Sequence, residues 1–417
     1  MQFSIKNRLI IMNFLQFFVW GSYLTSFGTY MYQTLNFEGT QIGVIFVTLG
    51  IASVFMPTIM GIIADRWVNA ERVYAFCHIL GGVFLIYMSM TKNPDNMFWI
   101  MLLVSMMYMP TIALNNSISY ILLKNKFYDV QKTFPKIRVW GTVGFVMAMW
   151  FVDFNHWTKS PIQLIVAASA AILLGVYALT LPQCKPAKET KSKGRLSTLG
   201  LDAFVLFKRK KIAIFFIFAM LLGAALQVTN QWGVAFVDHF KDIDLYENTF
   251  GVKYPNILVS ISQISETLFI LTIPFFLKKF GIKKVMIISM FAWVLRFGLF
   301  ALGDPGSGLP LLILSMIVYG MAFDFFNISG SLFIEKESDS SIRSSAQGLF
   351  MLMTNGLGAM IGSYGSGWVV EHYSSNGVAD WTMIWTVFAI YAACLAVIFP
   401  FVFKYKHNPQ EIQEINH

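Results

Sequence analysis

An aspartate stands deep inside one of the long apolar runs of this chain. Asp324 lies within the run 309–334, which is long enough to cross a lipid bilayer as a helix. A carboxylate in the hydrocarbon region costs about 2.5 kcal/mol or more, and such residues are usually functional. Five further polar residues occupy apolar runs elsewhere: Arg138, Gln227, Asn230, Gln263 and Glu266. Together they predict a polar site inside a bundle of membrane-spanning helices.

Residue spacing places these side chains on shared helix faces. Arg138, Thr142 and Phe145 follow one another at intervals of four and three, which puts them on one side of a helix. Because amides and carboxylates that face lipid are strongly disfavoured, we expect these faces to point inward and to line a cavity. The same spacing relates four further pairs: Gln227 and Asn230, Gln263 and Glu266, Tyr319 and Phe323, and Asp324 and Asn327.

Such a cavity suits a neutral ligand that carries several hydroxyl groups and a flat ring. Amide and carboxylate side chains pair with sugar hydroxyls and with the polar edge of a base. Phe145, Tyr319 and Phe323 offer rings for stacking. A phosphorylated ligand would need clustered basic groups, and only Arg138 and Arg296 are candidates. The pattern therefore argues against nucleotides.

The alternative is that the buried polar groups only hold helices together, with an average contribution of about 0.6 kcal/mol each. We assign Asn115, Asn116 and Asn355 to this structural role. Arg296 fits a structural role equally well, as the counter-ion of one of the two buried carboxylates.

Two acids in a low-dielectric cavity also indicate proton coupling. Burial favours the neutral form of a carboxyl group. Protonation then removes the charge that opposes movement between inward-open and outward-open states. We favour Asp324 as the proton carrier, because Gln263, one helical turn from Glu266, gives Glu266 a role in ligand binding instead.

Composition predicts an all-α polytopic membrane protein. The 417 residues are 56% hydrophobic and 13% charged, with a mean hydropathy of +0.61, whereas ordinary globular domains carry about 25% charged residues. The apolar residues form long blocks, and the ten-residue alternating segments of a transmembrane β-barrel are absent.

Twelve transmembrane helices are predicted, and a polar external loop at 239–255 follows the seventh. A break rich in Lys, Ser and Thr at 182–211 divides the chain into an N-terminal six-helix half, 1–181, and a C-terminal half, 212–417. The predicted helices are 9–32, 41–64, 73–91, 97–122, 138–153, 162–181, 212–238, 256–277, 284–302, 309–334, 344–370 and 381–404.

Basic residues predict the orientation in the membrane. Lys92, Lys159, Lys241 and Lys253 lie in loops on one side, Arg296 lies within a span, and every other Lys and Arg lies on the opposite side. Since positive loops stay inside, both termini and the 182–211 linker are predicted to be cytoplasmic. The formal net charge of +9 is then topological, with some attraction to anionic membrane lipid, and does not indicate nucleic-acid binding.

A short loop motif follows the second predicted helix. Gly61, Asp65 and Arg66 form a G-x-x-x-D-R string that resembles the loop signature of the major facilitator superfamily, and 278–284 resembles its degenerate copy. We expect Gly61 to allow a close helix approach, and Asp65 and Arg66 to form a cytoplasmic charge latch; simple positive-inside charge is the alternative. The superfamily architecture has two six-helix halves with a substrate site between them near the midplane.

Longer strings resemble the bacterial nucleoside permeases, the nucleoside:proton symporters of that superfamily. They lie at 14–17 and 20–22, 134–135 and 137–142, 262–269, and 323–330. The resemblance covers nearly the whole chain. It implies inward transport of purine and pyrimidine nucleosides, such as uridine and adenosine, with protons across a bacterial inner membrane. A monomer is the default for this fold.

The resemblance also implies the ligand contacts. Ala225 departs from the family pattern, since an acidic residue is expected two positions before Gln227, and this departure predicts an altered substrate preference or pH dependence. The matching positions are Arg138, Thr142, Phe145, Gln227, Asn230, Gln263, Glu266, Tyr319, Phe323 and Asp324.

Other functions are less favoured. The nearest is a proton-coupled permease of the same fold for another sugar-like or polyol substrate. A receptor or channel fits the two halves and buried acids less well than alternating access. An intramembrane enzyme would need a catalytic pair, whereas no such motif, cofactor motif, metal cluster or disulfide framework is present. The histidines are predicted at helix ends, in loops or in the tail: His78, His156, His239, His372 and His407.

Overall fold

The computed structural model describes residues 4–186, 201–339, 342–375 and 377–405. These ranges are almost entirely helical, apart from a hairpin in which Ser374 pairs with Ala379 and Ser375 with Val378. Much of the predicted linker, 187–200, lies outside the described residues, and so does the predicted tail from Lys406 onward, which includes His407.

Fifteen α-helices follow in chain order within the described residues. They are α1 Ile5–Gly21, α2 Phe27–Thr29, α3 Gly39–Arg66, α4 Ala70–Ser89, α5 Pro94–Asn125, α6 Val130–Phe154, α7 Ile162–Leu179, α8 Lys210–His239, α9 Phe250–Lys253, α10 Pro255–Ile270, α11 Ile273–Leu302, α12 Leu309–Glu337, α13 Arg343–Met351, α14 Ala359–His372 and α15 Trp381–Val402. Shorter elements are the π-helical turns Tyr30–Thr34 and Leu352–Gly358, the 3₁₀ helices Leu201–Lys208 and Phe240–Asp242, and the strands β1 Ser374–Ser375 and β2 Val378–Ala379.

Nine of the described helices are long and apolar enough to cross a membrane: α3 to α8, α11, α12 and α15. Among the other predicted spans, α1 has 17 residues and α10 has 16. The eleventh predicted span is divided among α13, a π-helical turn and α14. The chain is therefore a polytopic α-helical membrane protein.

The first predicted span is interrupted rather than continuous. α1 ends at Gly21, and the chain turns through residues 22–26 before α2 begins. Serine hydroxyls in this turn compete with helical hydrogen bonding. Ser22 donates to the carbonyl of Phe18 at 2.8 Å, and Ser26 donates to Gln163 at 2.7 Å.

Other helix ends also differ from the prediction. α6 begins at Val130, well before the predicted start at 138, because the Asp129 side chain accepts a capping hydrogen bond from the Lys132 N–H at 3.1 Å. α10 ends at Ile270, short of the predicted end at 277. α11 then starts early and is kinked at Gly281, whose φ of 75° lies in the left-handed region that glycine adopts readily.

The chain divides into two compact units. The first contains α1 to α7 with the segments Asn230–Ala235 and Tyr254–Ile257, and the second contains the rest of α8 and α10 with α9 and α11 to α15. Within the first unit the helices pack in the pairs α1–α6, α3–α5 and α4–α7. Within the second, α11 packs against both α12 and α15.

A hydrogen-bonded polar network fills the core of the first unit. Gln16 on α1 accepts from the Tyr74 hydroxyl at 2.6 Å, bonds to Nε2 of His78 at 2.9 Å and donates to Thr111 at 2.9 Å. His78 is buried within α4, so its predicted position at a helix end is wrong. Asn115 donates from α5 to α1 at 2.8 Å, which supports its structural assignment.

Asp153, near the end of α6, binds the start of α10. Its carboxylate accepts hydrogen bonds from the Thr158 hydroxyl at 2.8 Å and the Ile257 N–H at 2.9 Å. Asn256 donates to Thr158 and accepts from Thr25, each at 3.1 Å. A carboxylate at a helix N-terminus is favourable because it faces unpaired N–H groups and the positive end of the helix dipole.

Candidate functional site

Glycines set the spacing between α1 and α6 in the first unit. A Cβ at Gly144 would lie 2.2 Å from the Phe14 carbonyl oxygen, and one at Gly21 would lie 2.4 Å from the Phe145 carbonyl oxygen. Only residues without a Cβ permit so close an approach. The α1–α6 seam therefore fixes the position of the α6 face that carries the predicted site residues.

Aromatic side chains of α1 contact two of the predicted site residues on α6. The Cζ atom of Arg138 lies 4.0 Å from the centre of the Phe17 ring, within the range of a cation–π interaction. The Trp20 ring meets the ring of buried Phe145 edge-on at 6.4 Å and 85°. Thr142, between Arg138 and Phe145 on α6, is half-buried.

Phe17 and Trp20 were missed as site residues by the sequence argument. The predicted site was marked by polar groups in apolar runs, and an aromatic residue in an apolar run gives no such signal. Both belong to the α1 strings that resemble the nucleoside permeases, and this was the signal available. The Nε1 atom of Trp20 is buried and has no hydrogen-bond partner among the described residues.

In the second unit, Gly320 brings α12 against α10. A Cβ at Gly320 would lie 2.7 Å from the Ser265 carbonyl oxygen, and the Ser265 hydroxyl donates to the carbonyl of Ile317. This contact places the Gln263 and Glu266 turn of α10 beside the α12 segment that carries the predicted aromatic and acidic residues.

Four predicted residues converge there. Tyr319 forms a hydrogen bond with the Gln263 side chain and interacts electrostatically with Glu266 and Asp324. Asp324 is only 4% exposed, and its Oδ2 has no hydrogen-bond partner among the described residues. Glu266 is half-buried and acts electrostatically on Asp324. The cluster of Gln263, Glu266, Tyr319 and Asp324 is called the acidic cluster below.

Arg296 is buried within α11, as predicted, and borders the acidic cluster. Its Cζ atom lies 4.3 Å from the Phe300 ring centre and 5.2 Å from that of Tyr319. Nε and Nη1 have no hydrogen-bond partner among the described residues. The contacts that stabilise its charge are therefore aromatic faces, and the structure shows no ion pair of the expected kind within its described part.

The remaining predicted contacts are half-buried. Gln227 and Asn230 lie on α8, and Phe323 lies on α12 between Tyr319 and Asp324. Ala225, the departure from the family pattern, is 1% exposed.

The loop after α3 differs from the prediction at one residue. A Cβ at Gly61 would meet no atom within 4 Å, so the close helix approach expected there is absent from this conformation. Asp65 and Arg66 are exposed, and within the described part of the chain neither forms an ion pair.

Metal binding has no support in the described ranges, where no group of three or more His, Cys, Asp or Glu residues is placed to hold an ion.

Long apolar helices that enclose carboxylates, amides and aromatic rings define a polytopic membrane transporter. The chain belongs to the Nucleoside H+ symporter family, whose model matches residues 3–408. The predicted relationship to nucleoside permeases is therefore confirmed, and the chain is a transporter and not an enzyme.

Close relatives cover the whole length. The chain is 56% identical over 411 residues to xanthosine permease of Escherichia coli (strain K12), with 98% of each chain covered. It is 51% identical over 417 residues to nucleoside permease NupG of the same organism, which covers 99% of this chain and 100% of that one. A crystal structure of nucleoside transporter NupG matches with a TM-score of 0.92 at 52% identity, over 97% of this chain and 100% of that chain.

Proposed function

We propose that this chain carries nucleosides, purine and pyrimidine alike, into the cell together with protons. Membership in the Nucleoside H+ symporter family makes it a secondary transporter, and such proteins work by alternating access. The observation that carries the proposal is the acidic cluster, which offers hydrogen-bonding and titratable groups within a membrane-embedded unit. The names of its relatives suggest xanthosine and other nucleosides as substrates.

The proposed substrate contacts supply complementary chemistry. Amide and carboxylate oxygens accept from ribose hydroxyls, while amide and guanidinium N–H groups donate to them or to keto groups of the base. The aromatic rings stack on the base. The contacts are Arg138, Thr142, Phe145, Gln227, Asn230, Gln263, Glu266, Tyr319, Phe323 and Asp324.

Asp324 is the proposed proton carrier. It is the more buried of the two acids, and its Oδ2 has no partner among the described residues. A proton on Asp324 removes both the like-charge repulsion with Glu266 and the penalty of a buried charged carboxylate. Glu266 then binds substrate, and the neutral Asp324 accompanies the loaded transporter through its conformational change.

The proposed membrane arrangement has twelve spans in two six-helix halves, 1–181 and 212–417, joined by a cytoplasmic linker. Three proposed spans fall outside the nine long helices: α1, α10 and the interrupted α13–α14. Both termini face the cytoplasm of a bacterial cell, and the protein works as a monomer in the inner membrane. Asp65 and Arg66, with Gly61, form the proposed cytoplasmic latch in another conformation of the cycle.

Uptake by purified protein in proteoliposomes tests the proposal. Labelled uridine should accumulate above its external concentration under an inward proton gradient, saturate with concentration and stop on addition of a proton uncoupler. Unlabelled adenosine and xanthosine should compete, whereas sugars and polyols should not. Competition by sugars alone would favour the alternative permease, and accumulation that ignores the gradient would contradict proton coupling. Protein-free liposomes are the control.

A further inference from the structure

A small cavity lies beside Phe323 in the second unit, between α8, α11, α12 and the π-helical turn Leu352–Gly358. The space open to the centre of a water molecule is about 20 Å³. A space above about 10–15 Å³ holds a single water molecule. The cavity is therefore sized for one water or for one polar substituent of a larger ligand.

Two side-chain amides face this cavity. Asn327 lies on α12 and Asn355 on the π-helical turn. Asn327 makes no side-chain hydrogen bond within the described part of the chain, and the Nδ2 of Asn355 reaches only the Sδ of Met351 at 3.8 Å. A thioether is a weak acceptor. These two half-buried amides lack a strong hydrogen-bond partner within the described residues, so both are suited to a polar ligand atom.

The cavity wall also contains aromatic surface. Phe323 and Trp293 both line it, and Trp293 packs edge-on against Tyr319 of the acidic cluster at 6.0 Å and 88°. The third polar side chain in the wall is already satisfied, because the Thr354 hydroxyl donates to the Phe350 carbonyl at 3.0 Å. Asn327 and Asn355 are thus the two amides in the wall that are available to a ligand.

The wall on the α8 side is rigid. A Cβ at Gly223 would lie 2.2 Å from the Thr354 carbonyl oxygen, and one at Gly358 would lie 2.5 Å from the Met220 carbonyl oxygen. This close packing leaves the π-helical turn little freedom to move relative to α8. The backbone position of Asn355 is therefore fixed before a ligand arrives, which favours discrimination between ligands.

We propose that this cavity is a specificity subsite that takes the exocyclic amino or keto group of the nucleobase between Asn327 and Asn355. The base ring then lies against Phe323. Each amide both donates and accepts, so either substituent can be paired. This accounts for one subsite that serves purines and pyrimidines. The inference rests on the proposed function and deepens it by naming the part of the base that is read.

Nucleosides that lack the substituent provide the test. KM for uptake in proteoliposomes is compared for adenosine and purine riboside, which lacks the 6-amino group, and for cytidine and its 4-deamino analogue. We expect the unsubstituted analogues to have a KM about 3- to 10-fold higher, the range of one hydrogen bond. For each pair, the KM of the unsubstituted analogue is divided by the KM of the substituted nucleoside. This ratio should fall close to one in Asn327→Leu and in Asn355→Leu, mainly because KM rises for the substituted nucleosides.

Asn355→Asp tests whether the subsite distinguishes an amino from a keto substituent. A carboxylate only accepts hydrogen bonds, so this variant should favour adenosine over inosine and cytidine over uridine relative to the unaltered protein. Thr354→Val is the matched control in the same wall, and its ratios should stay unchanged because the lost hydroxyl bonds its own helix. Size-exclusion profiles identify variants that fail to fold. Asn355→Asp keeps the size of the side chain, so it should not disturb the packing of the wall.

Two results would overturn the inference. One is an equal KM for substituted and unsubstituted nucleosides in the unaltered protein. The other is a KM ratio between unsubstituted and substituted nucleosides that stays unchanged in both folded Leu variants. A protein that takes up no nucleoside would overturn the proposed function itself. The unaltered protein with uridine and adenosine is therefore measured first, which separates the two failures.

Discussion

The guanidinium carbon of Arg138 lies 4.0 Å from the centre of the Phe17 ring, so a ring on α1 supports a charge on α6. The two helices approach closely because Gly144 and Gly21 carry no Cβ. A guanidinium over an aromatic face is attracted to the ring, so the Phe17 ring helps to fix the position of the Arg138 charge. Phe17 therefore acts through Arg138 and is a positioning residue.

Replacing Phe17 tests this relationship. Phe17→Leu keeps an apolar side chain but removes the ring, and should weaken nucleoside binding by about 0.5 to 2 kcal/mol. KM for uridine should rise several-fold with little change in maximal rate. Phe18→Leu is the control, since Phe18 stacks on Phe14 and packs at a tilt against Phe151 instead. Equal effects of the two substitutions would show that Phe17 has only a general packing role.

Asp324→Asn tests proton coupling. The amide has nearly the same shape but cannot carry a proton, so uridine accumulation driven by a pH gradient should be lost. Exchange of labelled for unlabelled uridine, which needs no net proton movement, should be reduced less. The exposed Asp244→Asn is the control and should behave as the unaltered protein. Gradient-driven accumulation that survives in Asp324→Asn would exclude Asp324 as the carrier.

Glu266→Gln separates the two acids. If Glu266 binds substrate, this variant should raise KM for uridine and yet retain a response to the imposed pH gradient. The measurement is initial uptake at several uridine concentrations, with and without the gradient. Loss of the gradient response in Glu266→Gln but not in Asp324→Asn would reverse the two proposed roles.

The α1–α6 seam predicts a sharp difference between two glycines. Gly144→Ala would place a Cβ 2.2 Å from the Phe14 carbonyl oxygen, and the forced separation of the helices should destabilise the protein by about 1 to 3 kcal/mol. Gly298→Ala in α11 meets no atom within 4 Å and should be neutral or slightly stabilising. Thermal unfolding of both variants in detergent, with uptake measured alongside, distinguishes them. Equal Tm values would contradict the close packing.

The polar network around Gln16 predicts that substitutions of Gln16 and Tyr74 have coupled effects on the free energy of unfolding. Gln16→Leu leaves the His78 Nε2 without its acceptor and the Tyr74 hydroxyl with only its long hydrogen bond to Asn115 Oδ1 at 3.5 Å. A buried group left unpaired costs about 1 to 3 kcal/mol. Tyr74→Phe alone should cost less, because Gln16 keeps its other partners. In the double variant, Tyr74→Phe should cost little, since it removes a hydroxyl that has already lost its short hydrogen bond to Gln16. Unfolding free energies from this double-mutant cycle measure the coupling, and additive effects would refute it.

Sequence patterns were most reliable where one helix alone decides the outcome. Asp324, Tyr319 and Phe323 were predicted from the sequence because they share a single apolar run at helical spacing, and the structure places all three on α12. The pairing of α10 with α12 could not be inferred in the same way, since it depends on Gly320 meeting a carbonyl far along the chain. For the same reason, the sequence does not show the cavity beside Asn355, which was predicted to have a structural role. Its cavity is formed by four separate segments.

The amino-acid sequence by itself determined that this is a helical membrane protein with acids, amides and rings in its spans, and its long polar strings determined the family. Hydropathy, charge position and helical spacing are local properties, so they can be read without knowing which helices touch. The tertiary structure decided that His78 lies within a buried network, that Gly61 faces open space and that the first span breaks at residues 22–26. It also decided that Phe17 lies beneath Arg138. These outcomes depend on contacts between distant segments, where a missing Cβ or one hydroxyl sets which atoms can meet.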